Sequence, residues 1–212
     1  MPELATLLLF AAASFALIVV PGPAVLYVIT RSLDQGRSAG LVSVAGVSVG
    51  AYVHIIAAAV GLSTLLTSSV IAFSIVKYAG AAYLIYLGLQ KVLARPKLET
   101  NPDLVAQPLK KIFLEGIVVN TLNPKTALFF LAFIPQFVNA ELGNVAVQIL
   151  ILGTVFVLVA LISDSVYALL ASTFGTWLKQ SRRYLRVQHY VSGAVYVALG
   201  LGAALSGVGK GK

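Results

Sequence analysis

Apolar residues run through this chain in long blocks, divided at intervals by short polar clusters. Windows of mainly apolar residues fall at about 4–29, 39–66, 69–93, 112–137, 145–171 and 188–207, and a stretch of roughly 20 such residues crosses the hydrocarbon of a bilayer as a helix. The pattern predicts an all-α membrane protein of about six transmembrane helices, the second and fifth long enough to tilt or break. Met1-Pro2-Glu3 supplies no basic leader, and the first apolar block outruns the core of a cleaved signal, so it reads as a span.

Basic residues set the expected orientation, because loops rich in Lys and Arg stay in the cytoplasm. The first connection carries Arg31 and Arg37, the third Arg95, Lys97, Lys110 and Lys111 with Lys91 just before it, and the fifth Lys179, Arg182, Arg183 and Arg186. The second and fourth, around Thr67 and Asn139, carry neither residue type. Alternate loops are therefore cytoplasmic and both termini lie outside. Lys210 and Lys212 pull against that placement, and five spans with the N-terminus inside is the rival reading.

Pro96, Pro102 and Pro108 stand among polar residues in the third connection, which marks a linker. The expected organisation is a first three-helix repeat over 1–93, a cytoplasmic linker over 94–111 and a second three-helix repeat over 112–212, within one membrane domain. An odd number of helices per half inverts the second half relative to the first. Residues 77–89 can be laid on 189–201, with Tyr78 on Tyr190, Ala82 on Ala194 and Leu87-Gly88-Leu89 on Leu199-Gly200-Leu201. The first helix of each half also carries a proline break, at Pro21-Gly22-Pro23 and at Asn123-Pro124. Inverted repeats with paired broken helices are a transporter architecture, with the substrate held near the midplane.

Composition sharpens the picture. Of 212 residues, 59% are hydrophobic and 10% charged, against about 25% charged in soluble domains; the mean hydropathy is +0.95. Lipid must solvate most of the exterior. The chain has no cysteine, which excludes disulfides and thiolate metal sites. Its formal charge of +8 sits in short connections rather than in a basic domain, so nucleic acid is not an expected partner. No phosphate loop, zinc spacing or nucleophile–base set is present, so neither a cofactor nor an enzymatic activity is expected.

Candidate chemistry concentrates at the breaks. Prolines 21 and 23 flank Gly22 well inside the first span; each removes a backbone donor, and the freed carbonyls must face a protein-lined cavity rather than lipid. Asn120, Asn123, Pro124 and Lys125 form the matching interruption in the fourth span. Half-helix ends there would present positive charge to a carboxylate, with Lys125 adding a full one. The plainer reading is that the amides cap the break and Lys125 snorkels. Three further polar residues lie within spans: His54, Lys77 and Asp164. A charge at the centre of a span costs on the order of 2.5–3.5 kcal/mol, so each needs a partner or a role. Asp164 can pair with Lys125, with Lys77 or with a substrate ammonium, and can carry a proton. His54 suits proton exchange or plain hydrogen bonding, and Lys77 sits close enough to its helix end to snorkel. Gly46-x-x-x-Gly50 permits close helix approach, within the monomer or across a homodimer face.

At these residues the chain resembles the LysE/RhtB family of bacterial amino-acid exporters, over nearly its whole length. The resemblance is carried by Pro21-Gly22-Pro23-Ala24, by the cluster from Gly36 through Gly40 into Gly46, by the run from Lys77 to Gly88, and by Asn123-Pro124-Lys125 followed by Phe129 to Phe137. It implies a multi-pass protein of the bacterial inner membrane that exports an amino acid or related small metabolite, in exchange for protons. An uncoupled channel or facilitator for small polar solutes is the alternative. With Asp164 as the firm acidic candidate in the membrane, a strongly cationic substrate is disfavoured.

Overall fold

A computed structural model of the protein describes residues 2–68 and 106–178, with isolated positions between 71 and 93 and at 197 and 201. The bulk of the third and sixth expected spans, the residue-for-residue repeat between 77–89 and 189–201, and Lys77 with it, lie outside the described residues.

The described residues form helices, with no strand among them. Helix α1 is Leu4–Ile18 and α2 is Pro23–Ser68. Helix α3 is Leu109–Thr121, α4 is Pro124–Ala132, and α5 is Val145–Leu178. Short 3-10 turns at Ile134–Gln136 and Ala140–Leu142 bridge the last two helices. In lipid the backbone must satisfy its own hydrogen bonds, which is why so apolar a chain commits to helix. By length and composition, apolar windows that can cross a membrane fall within Pro23–Leu62, which is interrupted at Gly36, and within Val145–Phe174, and the bent pair Leu109–Thr121 and Pro124–Gln136 makes a third.

Helix α2 is two arms rather than one rod. At Gly36 the backbone turns to φ 79° and ψ −174°, a conformation open to glycine and costly for other residues. The chain doubles back there: a Cβ placed on Gly40 would lie 2.1 Å from Ser32 Oγ, and Ala24 and Val28 of the first arm pack with Val44 and Val47 of the second. Residues 23–35 therefore belong with α1, as the far half of a span broken at Val19 to Gly22. α1 alone has 15 residues, about 22 Å of helix, which is short of the roughly 30 Å hydrocarbon.

The second arm of α2 is the central element, packed between α3 and α5. Against α3 the backbones nearly touch, since Cβ atoms on Gly46 and Gly50 would lie 2.2 Å from the Phe113 carbonyl oxygen and 2.5 Å from that of Ile117. Gly116 returns the contact toward Ser43 and Val47. Lipid tails are as apolar as leucine, so close packing of this kind, not hydrophobic burial, holds membrane helices together. The glycine face is spent within the monomer and is not free for a second copy. Against α5, Gly153 receives Ile55, while Gly40 faces Ala168, so the two helices run antiparallel.

On the side of the breaks away from Gly36, aromatic rings fill the core. Phe129 lies 5.8 Å from Phe10, 5.0 Å from Phe133 and 5.1 Å from Phe156, tying α1, α4 and α5 together. On the Gly36 side the contacts are polar. Arg31 is buried and donates to Glu115 of α3 at 2.6 Å, and the Tyr27 hydroxyl donates to the Ile112 carbonyl at 2.8 Å. Arg31 therefore differs from the loop charge with which it was counted for orientation: its guanidinium reaches inward to a carboxylate, while Arg37 remains exposed.

Replacing Gly46 with Ala should lower the melting temperature in detergent by several degrees, because the neighbour in the way is backbone. Gly61, with nothing among the described residues within 4 Å of its Cβ position, should tolerate Ala or gain from it, by about 1 kcal/mol of helix propensity. Equal behaviour of the two variants would contradict the packing described.

Candidate functional site

Both helix breaks open on one small cavity. Its polar lining comes from Ser48 of α2, Asn120 of α3, Asn123 at the second break, Lys125 and Thr126 of α4, and Asp164 of α5; Gly22 of the first break completes it, against apolar walls that include Leu17, Phe156 and Ala160. Its volume is about 40 Å³. One water needs about 10–15 Å³ on this measure, so the cavity holds a few waters, and a larger solute requires the helices to part.

Each break satisfies its backbone in its own way. At the first, the Val19 carbonyl has no helical donor because Pro23, four residues on, lacks an N–H, and the break between α1 and α2 leaves the Val20 carbonyl outside both helices. The Tyr167 hydroxyl of α5 donates to Val19 O at 2.7 Å, and the Lys125 ammonium donates to Val20 O. Gly22 makes room for that reach, since a Cβ there would lie 2.8 Å from Lys125 Cδ. At the second break the helices bend by 47°. Asn123 caps α4, its side-chain oxygen accepting from the Lys125 N–H at 3.1 Å, and Pro124 stands in the first turn, where a missing N–H costs nothing.

Asn120 is the hub of the second break. Its side-chain amide donates to the Val47 carbonyl at 2.7 Å, and its side-chain oxygen accepts from Thr126 Oγ1 at 2.9 Å and from Asn123 Nδ2 at 3.2 Å. Its backbone carbonyl accepts from Asn123 N at 3.0 Å and from His54 Nε2 at 2.8 Å. A carbonyl cannot donate, so His54 carries its hydrogen on Nε2 in this arrangement.

Asp164 is buried, 3% exposed, and its Oδ1 has no hydrogen-bond partner. It lines the cavity with Lys125, and the lysine is near enough for its charge to act on the carboxyl. A hollow with a cation and a carboxyl on its wall can take a solute bearing both charges. Among the described residues no group of His, Asp and Glu is arranged to hold a metal.

Of the sequence candidates, Gly22, Asn120, Asn123, Lys125 and Asp164 come together here. Pro21 is buried beside them. Pro23 and Pro124 are exposed helix-starting residues that shape the breaks without lining the cavity. His54 stands behind the lining, bonded to Asn120. Three participants went unnoticed: Ser48, Thr126 and Tyr167. Two had readable spacing, since Thr126 follows Asn123 by three positions and Tyr167 follows Asp164 by three, one helix face in each case.

A polar cavity between two broken helices, inside a bundle whose outer surface is apolar, is the architecture of a membrane solute translocator. The family described as LysE type translocator matches residues 15–207. The chain is 34% identical over 180 residues to the homoserine/homoserine lactone efflux protein of Salmonella typhi, covering 85% of this chain and 86% of that one. It is 30% identical over 199 residues to the uncharacterized membrane protein YrhP of Bacillus subtilis strain 168, covering 90% and 94%. No solved structure matches. The chain belongs to the LysE type translocator family, which makes it a membrane transporter and not an enzyme.

Replacing Tyr167 with Phe removes the donor to Val19 O with little change of shape. A backbone acceptor left unpaired away from water costs about 1–3 kcal/mol, so this variant should unfold at lower temperature in detergent. An unchanged melting point would show that the first break does not depend on that hydroxyl.

Proposed function

We propose that the chain exports a small amino acid, or a close metabolite of one, across the bacterial inner membrane in exchange for protons. The observation that carries this reading is the pairing of opposite charges on one cavity wall, Lys125 at the breaks and Asp164 on α5. A zwitterion presents a carboxylate and an ammonium together. The carboxylate suits Lys125 and the N-terminal end of α4, where helix N–H groups point outward. The ammonium suits Asp164. Gly22, Asn120 and Asn123 form the surrounding wall, with Pro21, Pro23 and Pro124 keeping the backbone broken.

Relatives described as homoserine/homoserine lactone efflux proteins make homoserine the first substrate to try. Its carboxylate and ammonium are joined through one carbon, and Lys125 and Asp164 line one small cavity. A carboxyl that holds a proton in one half of the cycle and an ammonium in the other couples the two flows in opposite directions. His54 and Lys77 are the further candidates for passing the proton.

In this reading the chain is two inverted three-helix halves, 1–93 and 112–212, joined by a cytoplasmic linker at 94–111. Support comes from the two breaks, each of which interrupts a span and faces the same cavity. A cavity of about 40 Å³ favours a carrier that opens on alternate sides over a channel, which needs a continuous path.

Inside-out proteoliposomes with an acid interior should accumulate labelled homoserine above its external concentration. Asp164→Asn should abolish that accumulation, while the amount of protein inserted stays the same. Uphill movement undiminished in Asp164→Asn would remove the carboxyl from the coupling. A wild type that only equilibrates homoserine would be a facilitator.

A further inference from the structure

Ser48, Ser14 and Thr121 carry buried hydroxyls without a hydrogen-bond partner, and of the three Ser48 alone lines the cavity. Ser32, Ser43, Thr30 and Thr154 each donate to a carbonyl three or four residues back in their own helix, the usual fate of a hydroxyl with no other partner. Ser48 does not. It is 7% exposed, its Oγ has no hydrogen-bond partner, and it lines the cavity. Asp164 Oδ1 is unpartnered and buried on the wall of the same cavity.

These two oxygens lie close along the bundle. The second arm of α2 and α5 are antiparallel, with Gly40 against Ala168 and Ile55 against Gly153. Ser48, eight residues after Gly40, therefore stands level with Ala160, eight before Ala168, and Asp164 is one helical turn away. Buried polar atoms are nearly always paired, and one left unpaired calls for a ligand or a water. Two on one cavity wall, a carboxyl and a hydroxyl, make an acceptor-rich corner. The Lys125 ammonium donates to the Val20 carbonyl, and no donor reaches either Ser48 Oγ or Asp164 Oδ1.

We infer that Ser48 and Asp164 together form a binding subsite for a primary ammonium group, with Ser48 as a specificity-determining residue that accepts one of its three hydrogens. This deepens the export reading and rests on it for the identity of the solute. An ammonium, with three hydrogens, can donate to the hydroxyl and the carboxyl oxygens at once.

A test independent of transport is the rate at which a hydrophobic carbodiimide modifies Asp164 in the full-length protein, read by peptide mass spectrometry. Homoserine and ethanolamine should both slow the modification. The hydroxy-acid analogue of homoserine, which lacks nitrogen, should not. Ser48→Ala should raise the concentration needed for half-protection about tenfold, the range for one charge-assisted hydrogen bond, and Ser48→Thr should restore it. Equal protection by the hydroxy acid, protection by sodium chloride alone, or an unshifted Ser48→Ala would each overturn the subsite. Protection by ethanolamine and homoserine without homoserine transport in proteoliposomes would leave the subsite standing and remove the export reading.

Discussion

The bond from the Lys125 ammonium to the Val20 carbonyl joins the two halves of the site. One helix break supplies a carbonyl without a donor, and the other supplies a cation that would otherwise lack a place in the membrane. Each solves the other's problem. Lipid offers neither a donor to the carbonyl nor water to the ammonium, so both are driven into the same protein-lined hollow. Gly22 matters because it leaves the lysine stem room to reach across, and Asn123 because it starts α4 at the residue before Pro124. With two kinds of broken backbone held face to face, a polar cavity is the geometric remainder.

That constraint explains the division of labour around the breaks. On one side the bundle is locked by interlocking phenylalanine rings, on the other by the pair of buried Arg31 and partly exposed Glu115 with Tyr27 beside it. Between them the second arm of α2 lies against α3 with glycine at each close contact. An ion pair with one buried partner contributes little net stability, since desolvation offsets much of its attraction, but leaving the buried Arg31 charge unpaired is costly. It therefore suits a contact that forms and breaks as a unit. Rings and glycine seams suit parts that move as rigid bodies, and a cavity this small must enlarge by movement of such bodies to pass a solute.

Much of this was legible in the residues because the decisive signals are local. Pro21-Gly22-Pro23 and Asn123-Pro124 announce broken helix wherever they occur in an apolar run, and Asp164 announces a buried acid by its neighbours alone. The reversal at Gly36 was legible as the gap between two apolar blocks. What the residues could not show is which distant group answers each break. Nothing near Val19 points to Tyr167, 148 positions away, and nothing near Asn120 points to His54. Arg31 reads as a loop charge from its place between two apolar blocks, and only the packing of α3 reveals the carboxylate that draws it inward. Ser48 was hidden for a different reason: a hydroxyl in a helix normally bonds its own backbone, and only a structure shows that this one does not.

Solvent access to the wall of the cavity tests the account most directly. The chain has no cysteine, so one introduced thiol reports alone. Ala160 lines the cavity, and Ile162, two residues on, faces outward at 67% exposure. In native membranes Ala160→Cys should react with a small, charged, water-soluble thiol reagent, and homoserine should slow that reaction, while Ile162→Cys stays unreactive behind lipid. An inert thiol at position 160, or one whose rate ignores homoserine, would mean that the paired breaks do not enclose a solute path.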